Sequence, residues 1–175
     1  MNVPNDELPN KPAPGNAASH AMQILRAKPD DAATLTEIAF AAKRHWGYPE
    51  HWIACWTHLL TVEPRLISEQ ETYTAYVDGE AVGFYSLDRE VARMYLEHLW
   101  VLPQAMRQGV GRALFLHATG RVRELGFQTL EVESDPNAAG FYERMGARRV
   151  ATTVTELAGQ PRELPVLIYE IDPTA

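Results

Sequence analysis

The sequence predicts an α/β protein built on one mixed, mostly antiparallel sheet. Three observations carry this. Residues 72–102 hold three strand-like segments joined by short links, as in an antiparallel meander. Helical periodicity follows over residues 109–125, and a strand pattern returns at Thr129, so a crossover unit succeeds the meander. Two more strand-like segments then close the chain.

Residues 1–20 are rich in Asn, Pro, Ala and Gly and carry almost no apolar pattern. They are expected to be a disordered tail, with residues 21–175 forming a single domain. A short strand is expected at Met22–Ala27. Pro29 and Asp30 mark a helix start, and Leu35, Ile38, Ala39 and Ala42 recur at helical spacing. A first helix therefore covers about Asp31 to His45. Gly47 and Pro49 break it. A second helix is expected from about Glu50 to Leu60, with Trp52, Cys55, Trp56 and Leu59 on one apolar face.

Thr72–Val77, Ala81–Leu87 and Met94–Leu102 are the meander strands, with a hairpin turn at Asp78-Gly79. Pro103 ends the third. A glycine-containing loop leads into a helix from about Gly109 to Leu125, whose buried stripe is Val110, Leu114, Ala118, Val122 and Leu125. Gly126 suits its C-terminal cap. Gly120, inside this helix, has no explanation in the sequence. Thr129–Glu133 reads as a strand. Asp135-Pro136 reads as a helix start, Asp as N-cap and Pro at the first helical position, with the helix running to about Met145. Arg148–Thr155 and Val166–Ile171 are the last strands, linked by a loop with Gly159 and Pro161. The order is β-α-α-β-β-β-α-β-α-β-β.

The formal net charge of −7 argues against a nucleic-acid partner, which needs a basic surface. Cys55 is the sole cysteine, so no internal disulfide forms. Its place in an apolar helical pattern predicts a small buried core residue. No apolar run approaches the roughly 20 residues that span a membrane. The N-terminus lacks the basic-then-apolar order of a signal peptide. A cytoplasmic protein without a membrane partner is expected.

The most informative segment runs from Val101 to Leu114. A strand ends, a loop with Arg107 and Gln108 turns, and a helix begins at about Gly109, with Val110, Gly111 and Arg112 in its first turn. The first N–H groups of a helix lack internal partners and point outward at the positive end of its dipole. A pyrophosphate fits there. Gly109 and Gly111 let backbone approach phosphate closely, and Arg107 and Arg112 add charge-assisted hydrogen bonds. A dinucleotide fingerprint would need Gly at Leu114, and a Walker loop would need Gly-Lys-Ser or Gly-Lys-Thr where Gly-Arg-Ala stands.

Placed after Leu99-Trp100-Val101-Leu102-Pro103, this loop resembles the pyrophosphate motif of the GNAT superfamily of N-acetyltransferases. The family pattern is Gln or Arg, two residues, Gly, one residue, then Gly or Ala. Here it is Met106-Arg107-Gln108-Gly109-Val110-Gly111, with Met106 departing from the first position. A second motif lies about 25 residues further on, Asp135-Pro136-Asn137-Ala138-Ala139-Gly140-Phe141-Tyr142-Glu143-Arg144-Met145-Gly146. It resembles the family's late helix. The resemblance spans about Met22 to Ile171. It implies a central, mostly antiparallel sheet flanked by about four helices, with acetyl-CoA as co-substrate and no metal. It implies that Asn137 contacts the pantetheine arm, that Leu99, Trp100 and Val101 pair their backbone with that arm, and that Tyr142 sits near the thioester sulfur.

Amine acetylation needs a neutral amine, a polarised carbonyl and a stabilised thiolate. The resemblance makes Tyr142 the candidate acid, against a purely cofactor-binding or packing role. Glu97 and His98 are the candidate bases. Adjacent strand residues point to opposite faces, so one of the two is expected to see the amine. The two N-terminal helices are implied to wall the acceptor side, with Trp46, Tyr48, Trp52 and Trp56 divided between pocket and core and Trp56 assigned to core. The acidic balance points to a cationic acceptor such as a polyamine, an aminoglycoside or a lysine side chain. A non-catalytic acyl-CoA-binding sensor or interaction module is the alternative. A small kinase would need a Lys in the loop and metal-binding carboxylates. Many members of the family dimerise, and the C-terminal strands are one route to a homodimer.

Overall fold

The computed structural model describes residues 21–172. The expected tail over residues 1–20 lies outside the described residues. Seven strands form one sheet: β1 (Met22–Arg26), β2 (Glu71–Val77), β3 (Glu80–Glu90), β4 (Arg93–Val101), β5 (Thr129–Glu133), β6 (Arg148–Leu157) and β7 (Gln160–Glu170). Their order is β1-β2-β3-β4-β5-β7-β6. Every neighbouring pair is antiparallel except β4 and β5, which are parallel. The parallel pair requires a crossover, and the helix at residues 110–124 supplies it. The mixed, mostly antiparallel α/β fold is as predicted.

Six α-helices lie among the described residues: α1 (Ala32–His45), α2 (Glu50–Cys55), α3 (Thr57–Leu60), α4 (Pro64–Glu69), α5 (Val110–Glu124) and α6 (Ala139–Arg144). α1 packs on one face of β3 and β4, and α5 packs on the other. Side-chain alternation along β3 builds both layers. Phe84 joins Leu35, Ile38, Ile53, Trp56 and Leu60 on the α1 side. Its neighbour Tyr85 joins Leu114, Phe115, Met94 and Leu130 on the α5 side. No helix among the described residues is long and apolar enough to cross a membrane.

Four local expectations change. The single helix over 50–60 breaks at Trp56 into α2 and α3, and α4 is additional. The buried residues of α2, α3 and the break are Ile53, Trp56 and Leu60. Cys55 is exposed, as is Leu59, so the cysteine is not core. In so short a segment two faces offset by a residue fit helical spacing equally well. The last hairpin is tighter than expected. β6 and β7 meet at Ala158-Gly159, both left-handed (φ 50° and 77°), a two-residue turn geometry that alanine hardly signals.

The fourth change is at Asp135, which does not cap α6. The chain from Asp135 to Ala138 forms a turn, closed by the Ala138 N–H to the Asp135 carbonyl at 2.9 Å, and α6 starts at Ala139. The Asp135 carboxylate accepts the Asn137 N–H at 2.9 Å and otherwise faces inward, drawn by two buried cations.

Candidate active site

β4 and β5 touch only briefly. Their register joins Met94 to Leu130 and Tyr95 to Glu131 and stops there. On its other edge β4 stays paired with β3, through Leu99 to Tyr85, Trp100 to Phe84 and Val101 to Gly83. The β5-facing edge of β4 from Leu96 onward is thus an open row of backbone groups. A groove of about 760 Å³ fills the gap, lined by Leu99, Trp100, Val101, Asn137, Phe141 and Tyr142 among others.

The glycine loop also lines this groove. Arg107 and Gly109 both adopt left-handed backbone (φ 62° and 87°). Such a turn leading into a helix N-terminus makes a concavity of N–H groups. A Cβ built on Gly109 would meet nothing within 4 Å, so its side-chain position opens to free space. Arg107, Arg112, Arg144, Gly109, Gly111 and Met106 all line the groove. Met106 also packs on the core beneath. The other two loop candidates turn away. Gln108 donates its amide to the Gln104 carbonyl at 2.7 Å, and the Val110 side chain is buried in the core. Their contribution is restricted to backbone.

Tyr142 projects from α6 with its ring beside Phe115 and Phe141, at centroid distances of 5.9 and 5.1 Å. Burial, reinforced by the negative charge of Asp135, pushes its phenol pKa well above the ordinary tyrosine range. It therefore stays protonated and can donate. Asn137 lines the same groove while its Nδ2 donates to the Tyr48 hydroxyl at 2.8 Å.

A second cavity, of about 260 Å³, adjoins the groove. Glu97, Leu96, Trp100, Glu133 and Asp135 border both spaces. Glu97 is a β-bulge. The register runs from Ser86–His98 directly to Leu87–Leu96 and leaves Glu97 without a β3 partner. The bulge breaks strict alternation, so Glu97 and His98 both line the smaller cavity, where one alone was expected. The two differ in chemistry. Partial burial and the nearby carboxylates of Asp88 and Glu133 raise the Glu97 pKa. His98 accepts the Trp100 Nε1–H on Nδ1 at 3.1 Å, and burial pushes its pKa down to about 4. It is a neutral imidazole held in place.

Sequence reasoning missed the cluster behind this cavity. Asp135 Oδ2 accepts Lys43 Nζ at 2.5 Å and Arg162 Nη2 at 2.8 Å. Tyr48 donates its hydroxyl to Oδ1 at 2.9 Å. Trp56 is buried, as expected, and its ring lies 4.0 Å from Lys43 Nζ and 5.0 Å from the Arg162 guanidinium carbon. Burial opposes ionisation of Asp135, but Lys43 and the hydrogen bonds from Lys43, Asn137 and Tyr48 outweigh it, so the pKa falls. Burial also lowers the Lys43 pKa, aided by Arg162 and opposed by Asp135. Of these residues the sequence singled out Tyr48, Trp56 and, as a helix cap, Asp135, but neither Lys43 nor Arg162. Lys43 and Arg162 are ordinary surface residue types about 120 positions apart, with no motif linking them. Trp46 is partly exposed at the rim of the larger groove.

Among known proteins, residues 48–159 match the family described as "Acetyltransferase (GNAT) domain". The chain is 31% identical over 104 residues to the peptidyl-lysine N-acetyltransferase YjaB of Salmonella typhimurium, covering 59% of this chain and 68% of that protein. It is similar in structure to the PaiA N-acetyltransferase of Thermoplasma acidophilum, solved with coenzyme A (TM-score 0.72, 18% identity, 86% of this chain and 99% of the other). A GCN5-related N-acetyltransferase structure from Rhodopseudomonas palustris gives a TM-score of 0.74 at 21% identity, over 90% of this chain and 99% of the other.

Proposed function

Since the chain belongs to the GNAT acetyltransferase family, and is thereby an acetyl-CoA-dependent acyltransferase, we propose that it moves an acetyl group to the primary amine of its acceptor by direct attack on the thioester. The junction of the two cavities carries this reading. One space is long, open along β4 and basic at its loop. The other is small and reaches Glu97 at the shared wall.

The groove fits acetyl-CoA on its own chemistry. Val110, Gly111 and Arg112 present N–H groups that the helix leaves unpaired, beside the Arg107 and Arg112 side chains. The open β4 edge at Leu99, Trp100 and Val101 suits an extended amide-bearing chain, as an added strand would pair. Asn137 lines the same groove and offers its amide oxygen, its Nδ2 being bonded to Tyr48. When bound, acetyl-CoA supplies an activated acetyl thioester.

The chain's own residues then handle protons. Glu97, with its raised pKa, takes a proton from the acceptor ammonium, directly or through water. The neutral nitrogen bonds to the thioester carbon as the carbon–sulfur bond breaks. Tyr142 donates its phenolic proton to the departing sulfur, its phenolate recovers one through water from the nitrogen that becomes the amide, and Glu97 passes its proton to solvent. His98 orients Trp100 in the shared wall and stays neutral. No covalent enzyme intermediate is required. The alternative of a non-catalytic acyl-CoA sensor is not favoured beside a family match to acetyltransferases. The similarity to a peptidyl-lysine N-acetyltransferase supports an amine acceptor.

Calorimetric titration of acetyl-CoA, with ATP and nicotinamide dinucleotides as controls, tests the groove. Selective binding of acetyl-CoA is expected. Gly109→Glu places bulk and negative charge on the loop at a left-handed position, and should weaken that binding at least about 100-fold. Unchanged affinity in a folded variant would refute the placement.

A further inference from the structure

The cluster behind the smaller cavity does not balance its charge. Lys43 and Arg162 are both largely buried, and they share a single carboxylate, Asp135. That carboxylate is saturated. Oδ2 takes both cations, and Oδ1 takes the Tyr48 hydroxyl and the Asn137 N–H. Among the described residues no other carboxylate lies within ion-pair distance of either cation. One positive charge is left over in a site walled by Trp56 and Trp100, where a charge without a partner is unfavourable. Arg162 also has donors to spare. Its hydrogen bonds among the described residues run through Nη2, leaving Nε and Nη1 of a five-donor fork.

The distribution of charge along the cavity has a direction. Glu97 and Glu133, with the already saturated Asp135, border both spaces, next to where the thioester is placed. Lys43 and Arg162 border the smaller cavity alone. An acceptor with its ammonium at the carboxylates would reach toward the cations with its other end. Trp56, Leu59, Leu60 and Leu164 give the same cavity apolar walls. The volume, about 260 Å³, is below the roughly 300–1,000 Å³ of cavities for drug-sized ligands.

We propose that the acceptor is a small amino acid, whose amine meets Glu97 and Glu133 and whose carboxylate is held by Arg162 with support from Lys43. This rests on the acetyl-transfer reading and names its substrate class. The whole-chain charge of −7 does not oppose it, because the field inside this cavity is set by the cluster and not by the surface. A lysine side chain in a peptide would satisfy the carboxylate end and leave the cation end unmatched.

Two measurements test it. The first compares acetylation of free L-leucine and L-phenylalanine with their amides and with a lysine-containing peptide. The free acids should exceed the amides and the peptide in kcat/KM by about tenfold or more, the usual scale of a charge-assisted hydrogen bond. The second measures binding of N-acetyl-leucine and N-acetyl-phenylalanine, against their amides, to the coenzyme A-saturated protein. It needs no turnover. Arg162→Gln should bring the acid down to the level of the amide in both, with thermal unfolding as the check on folding. Amides or peptide accepted as well as the acids would overturn the carboxylate subsite and leave acetyl transfer standing. Absence of turnover with every amine, alongside preferential binding of the acetylated acids, would keep the subsite and sink acetyl transfer. Equal binding of acid and amide by the wild-type protein overturns the subsite whatever the turnover.

Discussion

At the residue scale, Tyr142 and Glu97 have environments that push their pKa values in the same direction for different uses. Tyr142 is held protonated, as the proposed acid must be. Removing its hydroxyl in Tyr142→Phe should preserve acetyl-CoA affinity and lower kcat by roughly 100-fold or more, the usual scale of general acid catalysis. An undiminished rate with a good acceptor would remove Tyr142 as the acid. Glu97 must be deprotonated to act, so kcat/KM should rise with pH through its raised pKa, above the ordinary carboxylate range. Glu133 contributes to that elevation by like-charge repulsion. Glu133→Gln should therefore lower the Glu97 pKa and move the acid limb to lower pH. A limb that stays put would uncouple the two carboxylates. His98 cannot supply this limb in place of Glu97, since its pKa near 4 and its bond from Trp100 tie it to the wall.

At the scale of elements, two glycines divide cleanly. A Cβ on Gly83 in β3 would sit 2.7 Å from the Trp100 carbonyl oxygen, on the strand that lines both cavities. Gly83→Ala should cost about 1–3 kcal/mol by overpacking and disturb the open edge of β4, lowering acetyl-CoA affinity with stability. A Cβ added to Gly120 in α5 would meet nothing within 4 Å, and the φ of this glycine is not left-handed. Gly120→Ala should stabilise by about 0.4–1 kcal/mol, read as a higher denaturant midpoint at unchanged slope. Most elements were legible because their signals are local. Thr129–Glu133 is the strand the spacing predicts, and Val110, Leu114, Ala118 and Val122 are the buried stripe of α5. What escaped was set by distant partners. The break at Trp56, the inward turn of Asp135 and the bulge at Glu97 each depend on contacts with other elements, and none leaves a periodic trace. The glycine loop and the late helix were readable as motifs. The Lys43–Asp135–Arg162 cluster was not, because its members meet only after α1, the turn after β5 and β7 are assembled.

For the whole molecule, that cluster ties the α1 layer to the sheet. α1 brings Lys43, the segment after β5 brings Asp135, and β7 brings Arg162. Asp135 has a folded pKa below its unfolded value of about 3.9. Its contribution to stability is thus complete above that value and is lost as pH falls through the lower folded one. Thermal unfolding between about pH 5 and 2 should show this loss, and Asp135→Asn should flatten that part of the curve. At neutral pH the same substitution leaves two buried cations without a carboxylate and should cost about 3–5 kcal/mol. A cost within the noise of the measurement would mean that the cluster is not a structural tie.

The shared wall between the two cavities also fixes an order of events. Leu96, Glu97 and Trp100 face both spaces, so whatever lies along β4 completes the enclosure of the smaller one. An acceptor arriving first would find that enclosure open on the groove side. If acetyl transfer proceeds as proposed, the thioester donor enters first and creates the surface on which the amine then sits. Both must be aboard before the acetyl group moves, because the chemistry uses no side chain as a temporary carrier. Double-reciprocal plots at several donor concentrations should intersect and not run parallel, and desulfo-coenzyme A should increase the affinity for the acceptor.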